Sequence, residues 1–220
     1  MLTTVMSILY RFLVLIVLLI NYFNAERVSL RCDQIRHFVD GHNLRRQLVA
    51  TGAVPGQPPA SNMRYMIWDE ELADKAAKWA DNGKLSHNPN RALGSNRWSL
   101  VGENIYMAKY YSNINTTVTP NIEQALDSWF NEYKNYGFTP FSLNTLNPIG
   151  HYTQMAWANS THLGCGISQR KENDWTLTLF VCDYGPTGNF IGKVPYESTN
   201  VPGYLHCPRG ECAKPYGSYC

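Results

Sequence analysis

The hydrophobic period of this chain changes between Tyr133 and His151, and that change limits its fold more than any other feature. Up to Tyr133 the apolar residues recur at helical spacing. Ile35, Phe38, Val39, His42 and Leu48 place a helix over Cys32 to Ala50, which ends at the Gly- and Pro-rich stretch from Gly52 to Ala60. Asp69 is placed to cap a second helix with Leu72, Ala76, Trp79 and Ala80 on one face. Gly102 to Lys109 reads as a short third helix. Pro120 opens a fourth, with Ile122, Leu126, Trp129, Phe130 and Tyr133 apolar. From there the pattern is that of strands: His151 to Trp157, Gly164 to Gln169, and Thr176 to Asp183, with Arg170 to Asp174 as the loop between the last two. Helices before and around a small antiparallel sheet predict an α+β fold, a three-layer α-β-α sandwich.

The N-terminus reads as an export leader. Arg11 precedes the nine apolar residues from Phe12 to Ile20, and a small residue, Ala25, closes the cleavage region. The run is too short to span a bilayer, which takes roughly 20 apolar residues, so no membrane span is expected. Cleavage leaves about 195 residues, enough for one domain with its own core. The net charge of +2 includes Arg11, so the remainder is nearly neutral and has no run of like charge. That argues against nucleic acid as a partner. Six cysteines in an exported chain predict three disulfides, among Cys32, Cys165, Cys182, Cys207, Cys212 and Cys220. The strand hairpin would bring Cys165 to Cys182, although six cysteines admit many connectivities. Asn115 and Asn159 head glycosylation sequons.

Four motifs occur in order: His42-Asn43-Leu44-Arg45, Gly102-Glu103-Asn104-Ile105, Gly150-His151-Tyr152-Thr153-Gln154-Met155-Ala156-Trp157, and Phe180-Val181-Cys182-Asp183-Tyr184-Gly185-Pro186-Thr187-Gly188-Asn189. Together they make the chain resemble the CAP superfamily (SCP/TAPS), and within it the secreted venom-allergen-like proteins of parasitic flatworms, the schistosome type. The resemblance implies the same three-layer sandwich with a disulfide-stapled C-terminal tail. It divides the chain into a signal peptide (1–25), a CAP domain (26–200) and a cysteine-rich extension (201–220). It also implies that His87, Glu103, Glu132 and His151 converge in a central cleft.

Two imidazoles beside carboxylates can hold a divalent cation, zinc or magnesium, with His87 and His151 as ligands; no cofactor is required. Paired His and Glu can also move protons. The chain has no Gly-x-Ser-x-Gly elbow and no His-Glu-x-x-His helix, and its cysteines are assigned to disulfides. A metal-dependent hydrolase would have to use metal-bound water or a serine such as Ser86 or Ser128. The expectation is therefore a protein that is not an enzyme.

The sterol-binding branch of the family carries an aromatic loop where this chain has Tyr136, Phe138 and Phe141, broken by Gly137 and Pro140. That implies cholesterol-like sterols as partners. Other members hold a fatty acid, such as palmitate, between the first and fourth helices. Here Ile35, Phe38, Val39 and Leu48 would face Ile122, Leu126, Phe130 and Tyr133. The expected function is a secreted lipid-binding protein that exports sterols and fatty acids. The alternative is a host-directed, immunomodulatory protein that acts through a host protein partner. Asp183 departs from the family, where an amide or basic residue is usual. The tail resembles the start of the extra domain of cysteine-rich secretory proteins, and its end at Cys220 leads us to expect no ion-channel blockade.

Overall fold

A computed structural model describes residues 25–112 and 118–220. The leader up to Asn24 and the sequon at Asn115 lie outside the described residues. Strands are numbered β1 (Glu26–Val28), β2 (Ile67–Trp68), β3 (Gly102–Tyr111), β4 (His162–Glu172) and β5 (Trp175–Gly185). Helices are α1 (Cys32–Thr51), α2 (Glu70–Ala80), α3 (Ile122–Phe130), α4 (Leu143–Leu146) and α5 (Gly150–Met155). A 3-10 turn over Asn131–Asn135 extends α3.

The sheet runs β1-β4-β5-β3, antiparallel throughout, with the short β2 added parallel to β4. Its spine is the β4–β5 hairpin. The strands reach further than the sequence pattern predicts and leave a turn at Asn173 and Asp174, where Asn173 takes φ 55°. The register sets Cys165 opposite Cys182, and the two are bonded. Cys32–Cys220 and Cys207–Cys212 complete the disulfides, so the tail is tied back to the start of α1.

One face of the sheet carries α2. Asp69 caps it by accepting from Leu72 N at 2.9 Å, and Leu72, Ala76 and Ala80 are buried against the strands. Gly164 and Gly166 on β4 allow this approach: a Cβ at either would run into the backbone of Ala73 or Ala77. The other face carries α1, α3 and α5 over a core that includes Phe38, Leu126, Trp129, Tyr152 and Phe180. Helix, sheet and helix form the three layers expected.

α1 ends where Gly52 adopts the left-handed conformation and its N–H closes on the Leu48 and Val49 carbonyls. Its buried face is unusually polar. Arg46 donates to the carbonyls of Arg64, Met155, Trp157, Ala158 and Ser160. His42 contacts the Phe38 carbonyl at 2.7 Å and the Tyr184 hydroxyl at 2.9 Å.

Two predicted elements are corrected. Gly102 to Lys109 is not a helix but the edge strand β3, paired with β5 along its whole length. His151 to Trp157 is not a strand: Gly150–Met155 is a helix, and Tyr152, Thr153, Gln154 and Met155 are all buried. With four consecutive residues buried, polar and apolar alike, this short segment shows no helical period. Pro120 lies one residue outside the cap of α3, which is Asn121, accepting from Gln124 N at 3.1 Å.

Candidate functional site

The four residues of the predicted cluster come together as two imidazole–carboxylate pairs at the base of one cleft. Glu132 stands on the 3-10 turn after α3. Its Oε1 lies 2.7 Å from His151 Nδ1, while its Oε2 accepts the backbone N–H groups of His151 at 2.8 Å and Tyr152 at 3.2 Å. The same carboxylate thus orients the ring and holds the first turn of α5. Asn104 on β3 adds a bond to the His151 carbonyl at 3.1 Å.

The second pair is built from β3 and the loop after α2. Glu103 Oε1 lies 2.7 Å from His87 Nδ1 and accepts the Asn88 N–H at 3.0 Å, with Arg91 Nη1 at 3.6 Å. Glu103 is buried, whereas His87 is largely exposed. In both pairs the carboxylate occupies Nδ1, which leaves Nε2 as the nitrogen that can meet a ligand. A carboxylate on Nδ1 is the arrangement that supports an imidazole bound to a metal through Nε2. Among the described residues no three His, Cys, Asp or Glu side chains converge on one point. A divalent ion here would be held by His87 and His151 alone, with water completing its shell, and would supply a Lewis-acidic anchor for a ligand headgroup.

The cleft encloses about 770 Å³. Gly102, Gln154 and Thr187 line it beside the His and Glu pairs, and its mouth is apolar, formed by Leu100, Leu143, Phe190 and Ile191. Neither Ser86 nor Ser128 is among its lining residues. Sequence reasoning missed Arg91, Gln154 and Phe190. The signals available were that Gln154 lies inside the third motif and that Phe190 follows directly on the Gly188-Asn189 end of the fourth.

The aromatic loop is folded inward. Tyr136 and Phe141 are 5 % and 3 % exposed, and Tyr136 packs on Tyr152 with ring centroids 6.1 Å apart. Phe138, at φ 50°, is half-buried against Tyr196 at 4.7 Å. Phe141 continues through Trp157 (6.4 Å) to Phe190 (5.8 Å), so the loop backs the cleft mouth.

Between α1 and α3, the side chains of Phe38, Val39, Ile122, Leu126 and Phe130 are buried, Ile35 and Tyr133 are half-buried, and Leu48 faces solvent. Gly41 lets Leu126 close onto α1. Arg45 ties the pair together by reaching Glu123 and Asp127, each at 2.6 Å. Asn159 is exposed, as a glycan acceptor must be.

Comparison with known proteins agrees with this architecture. The sequence profile of the family described as "Cysteine-rich secretory protein family" (CAP) matches residues 20–184. Venom allergen 5.02 of Dolichovespula maculata is 36% identical over 172 residues, covering 75% of this chain and 77% of its own. GLIPR1-like protein 1 of Mus musculus is 34% identical over 183 residues, covering 80% and 70%. Among solved structures, venom allergen-like protein 4 of Schistosoma mansoni aligns with TM-score 0.57 and 32% identity over 74% of this chain and 94% of that one. NaASP2, solved with Zn2+, aligns with TM-score 0.62 and 29% identity over 75% and 85%.

Proposed function

The chain belongs to the cysteine-rich secretory protein family, of the venom-allergen-like type, and from that premise we propose that it is a secreted, non-enzymatic lipid carrier whose principal cargo is a sterol. The observation that carries this reading is the apolar mouth of the cleft. Leu143 is 76 % exposed, Phe190 53 %, Ile191 49 % and Leu100 52 %, and all four line one opening. Large apolar side chains held together in water mark a binding surface. Buried Tyr136 and Phe141 brace this lip from behind, and Phe138 is the ring of the loop left to touch cargo.

A sterol is a flat apolar body with one hydroxyl. Covering about 300 Å² of it at roughly 25 cal/mol per Å² gives on the order of 7 kcal/mol before ordering costs. The polar floor, with two imidazole Nε2 atoms or a zinc ion on them, suits the hydroxyl end. Fatty acids of the palmitate type form the second part of the proposal. Their site between α1 and α3 requires Leu126 to withdraw from Gly41, so occupancy there must be accompanied by movement of α3. The imidazole–carboxylate pairs are also what a metal-dependent hydrolase would use, but neither serine considered for it lies in the cleft.

The test is binding of labelled cholesterol and labelled palmitate to delipidated protein, with cross-competition. Wild type is run beside a variant carrying Leu143→Ser, Phe190→Ser and Ile191→Ser, and beside Phe138→Ser. The lip variant should lose cholesterol and keep palmitate. Wild type binding neither lipid would overturn the carrier reading and leave a host protein as the partner to seek.

A further inference from the structure

The apolar lip of the cleft is carried by two stretches of chain that hold no charge. Residues 135–150 and 184–192 contain no Asp, Glu, Lys, Arg or His, although charged residues make up 16% of the chain. Leu143 belongs to the first stretch, Phe190 and Ile191 to the second. The Gly192 N–H donates to the Phe141 carbonyl at 2.9 Å, so the two stretches are joined. Their apolar side chains stand on tight turns: Leu143 opens the single turn of α4, and the Lys193 N–H closes on the Phe190 carbonyl at 3.1 Å. At 76 % exposure Leu143 has more open surface than a cargo on one side of it can cover.

An exposed lysine adjoins each stretch, Lys134 before the first and Lys193 after the second. The acids that line the cleft do not oppose them: Glu103 and Glu132 are turned to His87 and His151 on the floor. Arg97, on the loop that brings Leu100 to the mouth, is paired with Asp69, and Arg91 faces Glu103. The rim is thus apolar and uncharged, with basic residues at its flanks. A protein partner fits it poorly. Protein interfaces concentrate their energy in Trp, Tyr and Arg anchors and under-represent Leu, whereas this lip offers Leu, Phe and Ile. Apolar tips flanked by lysines suit a membrane surface. The tips enter the acyl boundary while the ammonium groups stay among anionic headgroups.

We propose that the cleft mouth docks on a lipid bilayer, with Leu143, Phe190 and Ile191 inserted below the headgroups and Lys193 set against anionic ones. A sterol then passes between membrane and cleft without crossing water. That purpose rests on the carrier reading, whereas the docking itself is tested without any sterol.

The assay is co-flotation of the exported protein, disulfides intact, with sterol-free vesicles. One set is phosphatidylcholine alone, the other four parts phosphatidylcholine to one part phosphatidylserine. Wild type should float with both sets and more strongly with the second. The double variant Leu143→Asp, Ile191→Asp should bind both by about tenfold or more less tightly. Equal binding by that variant, or no flotation of wild type, overturns the proposal. Lys193→Gln should bind the phosphatidylserine vesicles about fivefold more weakly and the pure phosphatidylcholine vesicles as wild type does; an unchanged affinity for both refutes the headgroup contact. If the double variant does not fold, Ile191→Trp decides. Its added emission should shift to the blue on vesicles and be quenched by brominated acyl chains, and an emission that stays that of indole in water refutes insertion. Cholesterol delivered from cyclodextrin reads the carrier function separately. Wild type that floats yet binds no cholesterol supports the docking and refutes the carrier, while wild type that binds cholesterol without floating refutes the docking alone.

Discussion

His42 gives the sharpest test of how α1 is held in the core. The ring is fully enclosed, bonded to the Phe38 carbonyl through Nδ1 and to Tyr184 through Nε2. Burial, with Arg45 and Arg46 adding to it, outweighs the Phe38 carbonyl and holds the imidazole down to about 3. In the unfolded chain the same ring takes a proton near pH 6.5. Below that value the unfolded state binds a proton that the folded state refuses, so stability falls as pH falls, by about 1.4 kcal/mol per unit. The loss reaches about 2 kcal/mol at pH 5 and on the order of 5 kcal/mol near pH 3. His42→Gln keeps a neutral polar side chain in the place of the ring and abolishes the titration. Urea unfolding of the disulfide-intact protein at pH 7, 6 and 5 is the assay. Whatever the substitution does at pH 7, wild type should lose about 2 kcal/mol more than the variant between pH 7 and pH 5. Parallel pH profiles, or a His42 ring that titrates near 6.5 by NMR, would show that the site admits a charge and that the reasoning is wrong.

Two further substitutions probe the core and the cleft. Arg46→Met removes the donor shared by five backbone carbonyls; it should cost about 3–5 kcal/mol in chemical denaturation, and a loss under 1 kcal/mol would mean that water replaces the guanidinium freely. His151→Ala should weaken zinc uptake by about tenfold or more in calorimetric titration, since His87 alone then remains, whereas equal affinity would place the metal elsewhere.

The legible part of this fold was the part whose burial is one-sided. α2 shows it: polar outside and apolar at Leu72, Ala76 and Ala80, its limits were set by Asp69 and its stripe. The β4–β5 hairpin declared itself by strand-forming residues and by two cysteines that meet in register. α1 was located and its buried face only in part: Phe38, Val39 and His42 lie inside as read, but Leu48 faces solvent. What the pattern did not show is how polar that buried face is, with His42, Asn43, Arg45 and Arg46 all enclosed. Each of these polar residues finds its partner far along the chain: Arg46 at Met155 to Ser160, Arg45 on α3, His42 on β5. No local period can encode such a partner. The two misread elements fail in related ways. β3 buries Glu103 on one face of the sheet and Asn104 on the other, where His87 and the His151 carbonyl meet them, so the strand shows no apolar/polar alternation and reads as a helix.

The chemistry of the cleft was easier to find than its shape, and the reason is physical. An imidazole oriented by a carboxylate depends on residue type, and residue type is what a sequence displays; His87, Glu103, Glu132 and His151 were therefore recognisable by resemblance, and the structure brings them together in two pairs. An apolar lip depends instead on residues being left unburied, and an exposed Leu143 or Phe190 is spelled the same way as a buried one. The aromatic loop illustrates the exchange. All three of its rings were assigned to sterol contact by resemblance, yet Tyr136 and Phe141 lie inside and back the exposed Phe190, some fifty positions later, through Trp157. On the lipid-carrier reading, cargo specificity should therefore follow Phe190 and Ile191 together with Phe138, because Tyr136 and Phe141 keep their apolar atoms from water.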